Sequence, residues 1–264
     1  MQLSTTKMKA ETRDGVGWIT FNQPEKRNAV SVEMWAAVPE IMAAFDADPD
    51  VRCVVLKGAG DQAFIAGADI SEFGEKRNSP EATKHYDAVS AEAHRALIVS
   101  PKPTIAMING FCIGGGVAVA LSTDIRIAAD NGRFAVPAAR LGLGYGAAGL
   151  RRLIDVVGPA FAKEIFFTAR QFDAAEALAM GLVNRVVPAA ELEPYVLDYA
   201  RRIAENAPLT IRAAKMTVDE LLKDAEKRDL DACEDAINAC FASADYVEGR
   251  TAFMEKRKPQ FRGA

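Results

Sequence analysis

The stretch Ile105–Ala120, IAMINGFCIGGGVAVA, limits what this chain can fold into more than any other. A β-branched run enters Gly110, passes Gly114, Gly115 and Gly116, and continues as an Ala/Val segment of helical character. A strand that turns into a helix over glycines brings bare backbone to the surface. A ligand oxygen can then reach N–H groups directly, and the helix dipole favours negative charge there. The turn alone does not identify the ligand, because dinucleotide and phosphate sites use glycine in the same way. The stretch itself contains no G-x-G-x-x-G, and no G-K-[ST] occurs in the chain.

The rest of the chain alternates strands and helices around this unit, as an α/β protein does. Lys9–Arg13 and Val16–Phe21 flank Asp14-Gly15 and predict a hairpin. Ser31 is expected to cap an amphipathic helix to about Asp46, followed by a strand over Val51–Lys57. A long helix over Pro80–Val99, a strand over Thr104–Asn109, a helix from Gly115, and strands near Ile125–Ala129 and Arg133–Val136 continue the pattern. Strand signals nearly vanish after Gly149. Helical stretches follow around Arg151–Val157, Pro159–Thr168, Ala174–Met180, Leu192–Asn206, Leu209–Lys223, Asp229–Ala242 and Asp245–Lys256. The expected division is a core over residues 1–206 and a C-terminal helical region over 207–264, although linker composition does not separate two independent domains.

Composition removes several function classes. Half of the 264 residues are apolar and no apolar run is long enough to span a bilayer, so no membrane partner is expected. The net charge of −4, with basic residues scattered except near the C-terminus, argues against nucleic acid. Met1–Lys9 carries no apolar segment of a secretion signal, so the chain reads as cytoplasmic. Cys53, Cys112, Cys233 and Cys240 lie in apolar surroundings without C-x-x-C spacing and read as reduced interior thiols. His85 and His94 are nine residues apart in one helical stretch, the wrong spacing for a shared metal, and no metal site is expected.

Two further segments can meet a ligand. In AFIAGADISE, Ala63–Glu72, a small-residue turn follows a buried strand, Asp69 can cap the next short helix, and the backbone of Ala66–Ala68 can approach closely. In NQPEKRNAV, Asn22–Val30, a Pro-bearing loop presents Lys26 and Arg27; taken alone it reads as a solvated turn. Two backbone donors from separate turns are what an oxyanion hole needs, each contributing roughly 3 kcal/mol to the developing charge.

Taken together, the chain resembles the enoyl-CoA hydratase/isomerase (crotonase) family: NQPEKRNA, AFIAGADI, INGFCIGGG, ALAMGLVNRVV and FMEKRKPQF occur in family order. The resemblance implies an α/β fold, a ββα superhelix with a C-terminal helical appendage, assembled as a homotrimer or a dimer of trimers. It implies an acyl-CoA substrate, with no cofactor beyond that CoA moiety. Ala68 and Gly115 would supply the oxyanion N–H groups. Lys26, Arg27 and Ala29 would line the nucleotide end of CoA, while Ala66, Asp69, Ile70 and Ser71 would border the thioester and pantetheine. Phe253 and Lys256 would approach CoA from the helical appendage, often at a subunit boundary.

One departure shapes the expected reaction. Family hydratases carry two glutamates at positions that here are Ala118 and Ala138. A general acid/base group contributes roughly 10²- to 10⁴-fold, so a chain lacking both should add water poorly. Leu141–Leu150, LGLGYGAAGL, offers no carboxylate either. It leaves Tyr145, with Arg140 and Ser122, as polar groups for the acyl pocket, and LGLGY resembles the methylmalonyl-CoA decarboxylases of the family. Those carry a histidine where this chain has Ala68 and a threonine where it has Val136. Losing CO₂ from a 2-carboxyacyl-CoA makes the enolate without a base. The expectation is therefore a lyase of this kind, with Tyr145 orienting the carboxylate or reprotonating carbon. Tyr145 packed under a loop, Arg140 in a structural ion pair, a hydratase using Glu72, Asp61 or a neighbouring chain, and a non-catalytic acyl-CoA binder are the alternatives.

Overall fold

After an opening hairpin, three consecutive strand pairs each split between two sheets. The computed structural model describes residues 3–72 and 79–264, with the side chain of Ile70 outside the described set. In chain order the first elements are β1 (Met8–Arg13), β2 (Val16–Phe21), α1 (Val32–Ala47), β3 (Cys53–Gly58), β4 (Ala63–Ile65), α2 (Pro80–Val99), β5 (Thr104–Ile108), β6 (Phe111–Ile113) and α3 (Gly115–Leu121). Then follow β7 (Ile125–Ala129), β8 (Arg133–Ala135), α4 (Ala147–Thr168), β9 (Phe172–Asp173), α5 (Ala174–Ala179), β10 (Arg185–Val187) and α6 (Leu192–Ala204). Helices α7 (Pro208–Leu221), α8 (Leu230–Ala242) and α9 (Ala244–Glu255) close the chain.

One sheet runs β1-β2-β3-β5-β7-β10 and the other β4-β6-β8-β9, parallel except for the β1/β2 hairpin and β8/β9. Thus β3-β4, β5-β6 and β7-β8 each give one strand to either sheet before a helix follows, which is the expected ββα superhelix. The six-stranded sheet is covered on both faces, so its central strands are continuous apolar runs. Val54 and Leu56 face the main core with Met34, Ile41 and Phe64. Their neighbours Cys53 and Val55 face the opposite way, onto Leu192, Val196 and Ala200 of α6. Cys53, Cys112 and Cys233 are buried and Cys240 is half-buried, all as free thiols.

Three local expectations change. Strands β9 and β10 exist beyond Gly149, and β6 lies inside the glycine-rich turn. Elements of two or three residues are too short to display a period of 2. One expectation in the same region holds: Gly158 (φ 75°, ψ 167°) breaks α4 before Pro159, giving the two helical stretches read from the sequence. Ser31 occupies the N-cap of α1, yet its buried hydroxyl has no partner among the described residues, and the Glu72 carboxylate accepts from the Val32 N–H instead, at 3.1 Å.

Candidate functional site

The loop after β2 and the loop after β4 are joined backbone to backbone. The Ala66 N–H donates to Arg27 O (3.0 Å), the Val30 N–H to Gly67 O (2.8 Å) and the Asp69 N–H to Val30 O (3.0 Å). Asn28 is the hidden clamp. It is fully buried in a left-handed conformation (φ 56°), which Asn tolerates better than most residues. Its Oδ1 accepts from the Gln23 N–H (3.0 Å), and its Nδ2 donates to Ala59 O (2.9 Å) and Ala63 O (2.8 Å).

Glycines then bring α3 against the second loop. Gly114 adopts φ 52°, ψ −107°, a conformation that side chains disfavour, and its N–H donates to Ala135 O at 2.8 Å. A Cβ on Gly116 would stand 2.2 Å from Ile65 O, so only glycine lets α3 sit this close to β4. The result is contact between Gly115 and Ala68. A Cβ on Gly115 would lie 3.6 Å from Ala68 N and 3.6 Å from Trp35 Cζ2. Among the described residues, neither the Ala68 nor the Gly115 N–H donates to a protein acceptor. Two half-exposed, unpaired donors from separate turns thus lie side by side, able to polarise a carbonyl and hold the negative charge it develops.

At the rim, Lys26, Asp69 and Ser71 form one network. Lys26 Nζ reaches Asp69 Oδ2 (2.7 Å) and Ser71 Oγ (2.9 Å), while Gln23 Nε2 donates to the same Asp69 oxygen (3.2 Å). The Ser71 hydroxyl and N–H both donate to Asp69 Oδ1, at 2.6 and 3.1 Å, so Asp69 caps the Ile70–Glu72 turn. Burial opposes charge on Asp69, and the hydrogen bonds from Lys26, Ser71 and Gln23 outweigh it, holding the carboxyl at about 2. Arg27 is exposed and lies over the Phe111 ring (5.1 Å), and Ala29 and Ala66 are half-buried beside it. The structure therefore gathers Lys26, Arg27, Ala29, Ala66, Ala68, Asp69, Ser71 and Gly115 into one region; the Ile70 side chain lies outside the described residues.

Other expected residues lie elsewhere. Tyr145 is 39% exposed and packs edge-on against Phe166 (4.8 Å between centroids), in a loop exposed throughout. Arg140 and Asp61 are exposed, and Glu72 is engaged at the N-terminus of α1. Phe253 (83% exposed) stands on α9 and Lys256 caps its C-terminus, with no hydrogen bond, ion pair or ring contact to the Lys26 or Asp69 loops among the described residues. Phe253 borders an apolar groove of about 850 Å³ with Leu209, Ile237, Phe241, Tyr246 and Phe261; this groove belongs to the C-terminal helices and not to the Ala68/Gly115 site.

Sequence reasoning missed the group packed beside Gly115. Trp35, whose indole stands beside Gly115, donates through Nε1 to the Tyr86 hydroxyl (3.0 Å) and packs against the His94 ring (5.1 Å). His94 Nδ1 meets Ser122 Oγ at 3.1 Å, and Ser122 donates to Ala118 O at 2.9 Å. Burial, with the Arg152 guanidinium adding to it, pushes the His94 imidazole down to about 4, so it is neutral at pH 7. Of the two alanines expected from the resemblance to stand in place of glutamates, Ala118 is half-buried next to this group and Ala138 is buried within the main core. The available signal was a polar ring at a helix position that shares a face with Tyr86 and Leu97.

The chain is similar to known proteins over nearly its whole length. The enoyl-CoA hydratase/isomerase family model matches residues 11–264. A crotonyl-CoA hydratase of Syntrophomonas wolfei is 37% identical over 251 residues, covering 95% of this chain and 96% of its own length. A short-chain-enoyl-CoA hydratase of Clostridium acetobutylicum is 36% identical over 258 residues, covering 98% and 97%. The crystal structure of an enoyl-CoA hydratase/carnitine racemase from Magnetospirillum magneticum superposes with a TM-score of 0.94 at 36% identity, covering 99% of this chain and 97% of that one.

Proposed function

Because the chain belongs to the enoyl-CoA hydratase/isomerase family, we propose that it binds an acyl-CoA thioester and carries its reaction through an enolate whose oxygen rests on the Ala68 and Gly115 N–H groups. The observation that carries this reading is the pairing of those two unsatisfied donors, 3.6 Å from the place of a Gly115 Cβ to Ala68 N. Each donor contributes roughly 3 kcal/mol to the oxyanion in a site shielded from water. In this reading Lys26 and Arg27 meet the phosphates of CoA, and Ala29, Ala66, Asp69, Ile70 and Ser71 line its arm.

The reaction proposed is decarboxylation of a 2-carboxyacyl-CoA of malonyl type. The C–C bond to the carboxylate breaks, its electron pair enters the thioester as an enolate, CO₂ leaves, and one proton returns to Cα. Alanine at positions 118 and 138 supports a reaction that generates its enolate without a carboxylate base. Tyr145 is the proposed neighbour of the departing carboxylate, a role that requires its loop to fold over the substrate. Tyr145→Phe with unchanged turnover would remove it from the site. In a trimer or dimer of trimers, Phe253 and Lys256 would serve the CoA site of an adjacent subunit, in keeping with their exposure and distance from the rim network.

Hydration of an enoyl-CoA is the second reading, favoured by the names of the relatives from Syntrophomonas wolfei and Clostridium acetobutylicum. Incubation with methylmalonyl-CoA and crotonyl-CoA together, followed by mass spectrometry of all CoA species, separates the two. Propionyl-CoA alone supports decarboxylation, and 3-hydroxybutyryl-CoA alone supports hydration. Tight binding with neither product would leave an acyl-CoA binder.

A further inference from the structure

Strands β2, β3 and β5 are parallel and begin at one edge of the sheet, where Val16 aligns with Cys53 and Val54 with Thr104. The Lys26 loop of the Ala68/Gly115 site leaves the opposite edge, where β2 ends. At the edge where the strands begin, Arg52 and Pro103 stand just before β3 and β5 in the wall of a pocket of about 290 Å³. Helix α1 separates the two places. Its first N–H is held by Glu72 beside the site, its last turn lines the pocket, and its 16 residues at 1.5 Å each make about 24 Å.

Four cations line this pocket, Arg52, Lys102, Arg212 and Arg262. The one acid among its lining residues, Asp46, already accepts from the Ser100 hydroxyl at 2.7 Å. Among the described residues, the Arg212 and Arg262 side chains make no hydrogen bond or ion pair, and Arg52 meets no carboxylate. Glu248 feels the charge of Arg262 but is taken by two bonds from Arg257, at 2.6 and 2.8 Å. Burial pushes the Lys102 ammonium below its usual value; Asp46 and Asp48 oppose this, and the Arg52 charge adds to it. Cations gathered without their counter-charge are relieved by a bound anion.

The cations are also held in place. Lys102 Nζ donates to Phe45 O and Asp48 O, carbonyls at the C-terminus of α1, and Arg52 Nη2 donates to Phe261 O at 3.0 Å. The backbone N–H groups of Arg262 and Gly263 donate to the two oxygens of buried Asp245, at 2.7 and 2.8 Å, which fixes the point from which Arg262 projects. Pro49, Pro101, Pro103 and Pro208 stand in the wall, each with its φ locked by its ring. A ligand entering here orders little that is not ordered already.

We propose that this pocket is a second ligand site, for a compact polyanion whose phosphate or carboxylate groups only accept hydrogen bonds. It stands apart from the acyl-CoA reading and does not depend on it. The exposed forks of Arg212 and Arg262 match the paired oxygens of such groups, while the half-buried Arg52 and Lys102 supply charge from deeper in. A volume of about 290 Å³ lies at the lower end of small-molecule pockets and suits a ligand the size of pyrophosphate or citrate.

Calorimetric titration of the full chain at low salt, with pyrophosphate and separately with citrate, tests this. The wild-type protein should bind at least one of them at one per chain. R212A and R262A should each weaken that ligand about tenfold, the cost of one charge-assisted contact, and the double variant more than either. Their melting temperatures without ligand should match wild type, because neither side chain has a partner in the fold. Binding of pyrophosphate alone identifies the groups as phosphates, and binding of citrate alone identifies them as carboxylates. K26A/R27A, altered at the rim of the other site, should bind the anion as wild type does. Loss in K26A/R27A with full affinity in R212A/R262A would put the anion at the rim and overturn the proposal. So would the absence of binding to wild type, wild-type affinity in R212A/R262A, or binding no tighter than that of sulfate, which marks unspecific attraction to charge.

Discussion

Replacing Asn28 by Ala tests whether a single buried amide holds the site's two loops together. The substitution removes three hydrogen bonds of 3.0, 2.9 and 2.8 Å, to Gln23 N, Ala59 O and Ala63 O. At about 1 kcal/mol net for each, these sum to about 3 kcal/mol. The backbone at φ 56° adds about 1 kcal/mol, because alanine lacks the local hydrogen bonding that makes the left-handed region tolerable for Asn. The expected loss is therefore about 4 kcal/mol. Urea unfolding at fixed protein concentration measures it, followed by fluorescence of the buried Trp18 and Trp35. Asn28→Gly should recover only the backbone part, about 1 kcal/mol, since glycine accepts this conformation freely. A loss below about 1 kcal/mol for Asn28→Ala would refute the reasoning. The bonds from Ala66 to Arg27 and from Val30 to Gly67 would then suffice to align the loops.

Two further outcomes follow from the same geometry. His94 is depressed from 6.5 to about 4, so the unfolded chain binds the extra proton first as pH falls. Its stabilisation is present above pH 6.5 and drains away toward pH 4, amounting to roughly 3 kcal/mol, and H94Q should show a correspondingly flatter stability profile between pH 7 and pH 4.5; parallel profiles would contradict this. The Asp69 contribution lies lower, present above 3.8 and lost toward 2, and cancels in the comparison. Gly116→Ala would drive its Cβ to 2.2 Å from Ile65 O, backbone that cannot rotate away. It should destabilise by roughly 3 kcal/mol and weaken acyl-CoA binding, whereas a Cβ on Gly115 meets its neighbours at 3.6 Å and should leave the melting temperature nearly unchanged. Equal melting temperatures for the two variants would count against the close approach of α3 to β4.

Local pattern carried much of the architecture. The Asp14-Gly15 hairpin, the Pro80–Val99 helix and the break of α4 before Pro159 were legible because turn residues and helical periodicity act over a few neighbours. The glycine-rich turns also marked where backbone would be bare, and it was the family resemblance that singled out Ala68 and Gly115 within them. Distribution of β3-β4, β5-β6 and β7-β8 between two sheets was not legible, since a three-residue strand acquires its identity from the partner it pairs with. The same holds for the polar groups. Asp69 could be read as a cap, but its coupling to Lys26, 43 residues away, needed the two loops to meet. His94 was visible as a residue, and was set aside as a metal ligand by its spacing to His85. Its setting between Trp35 on α1 and Ser122 after α3 is made by elements 59 and 28 residues away. The sequence by itself determined which segments expose backbone, because glycine and small residues impose that locally. Only the tertiary structure decided which side chains surround the exposed backbone, because burial and hydrogen-bond pairing depend on what folds across from them.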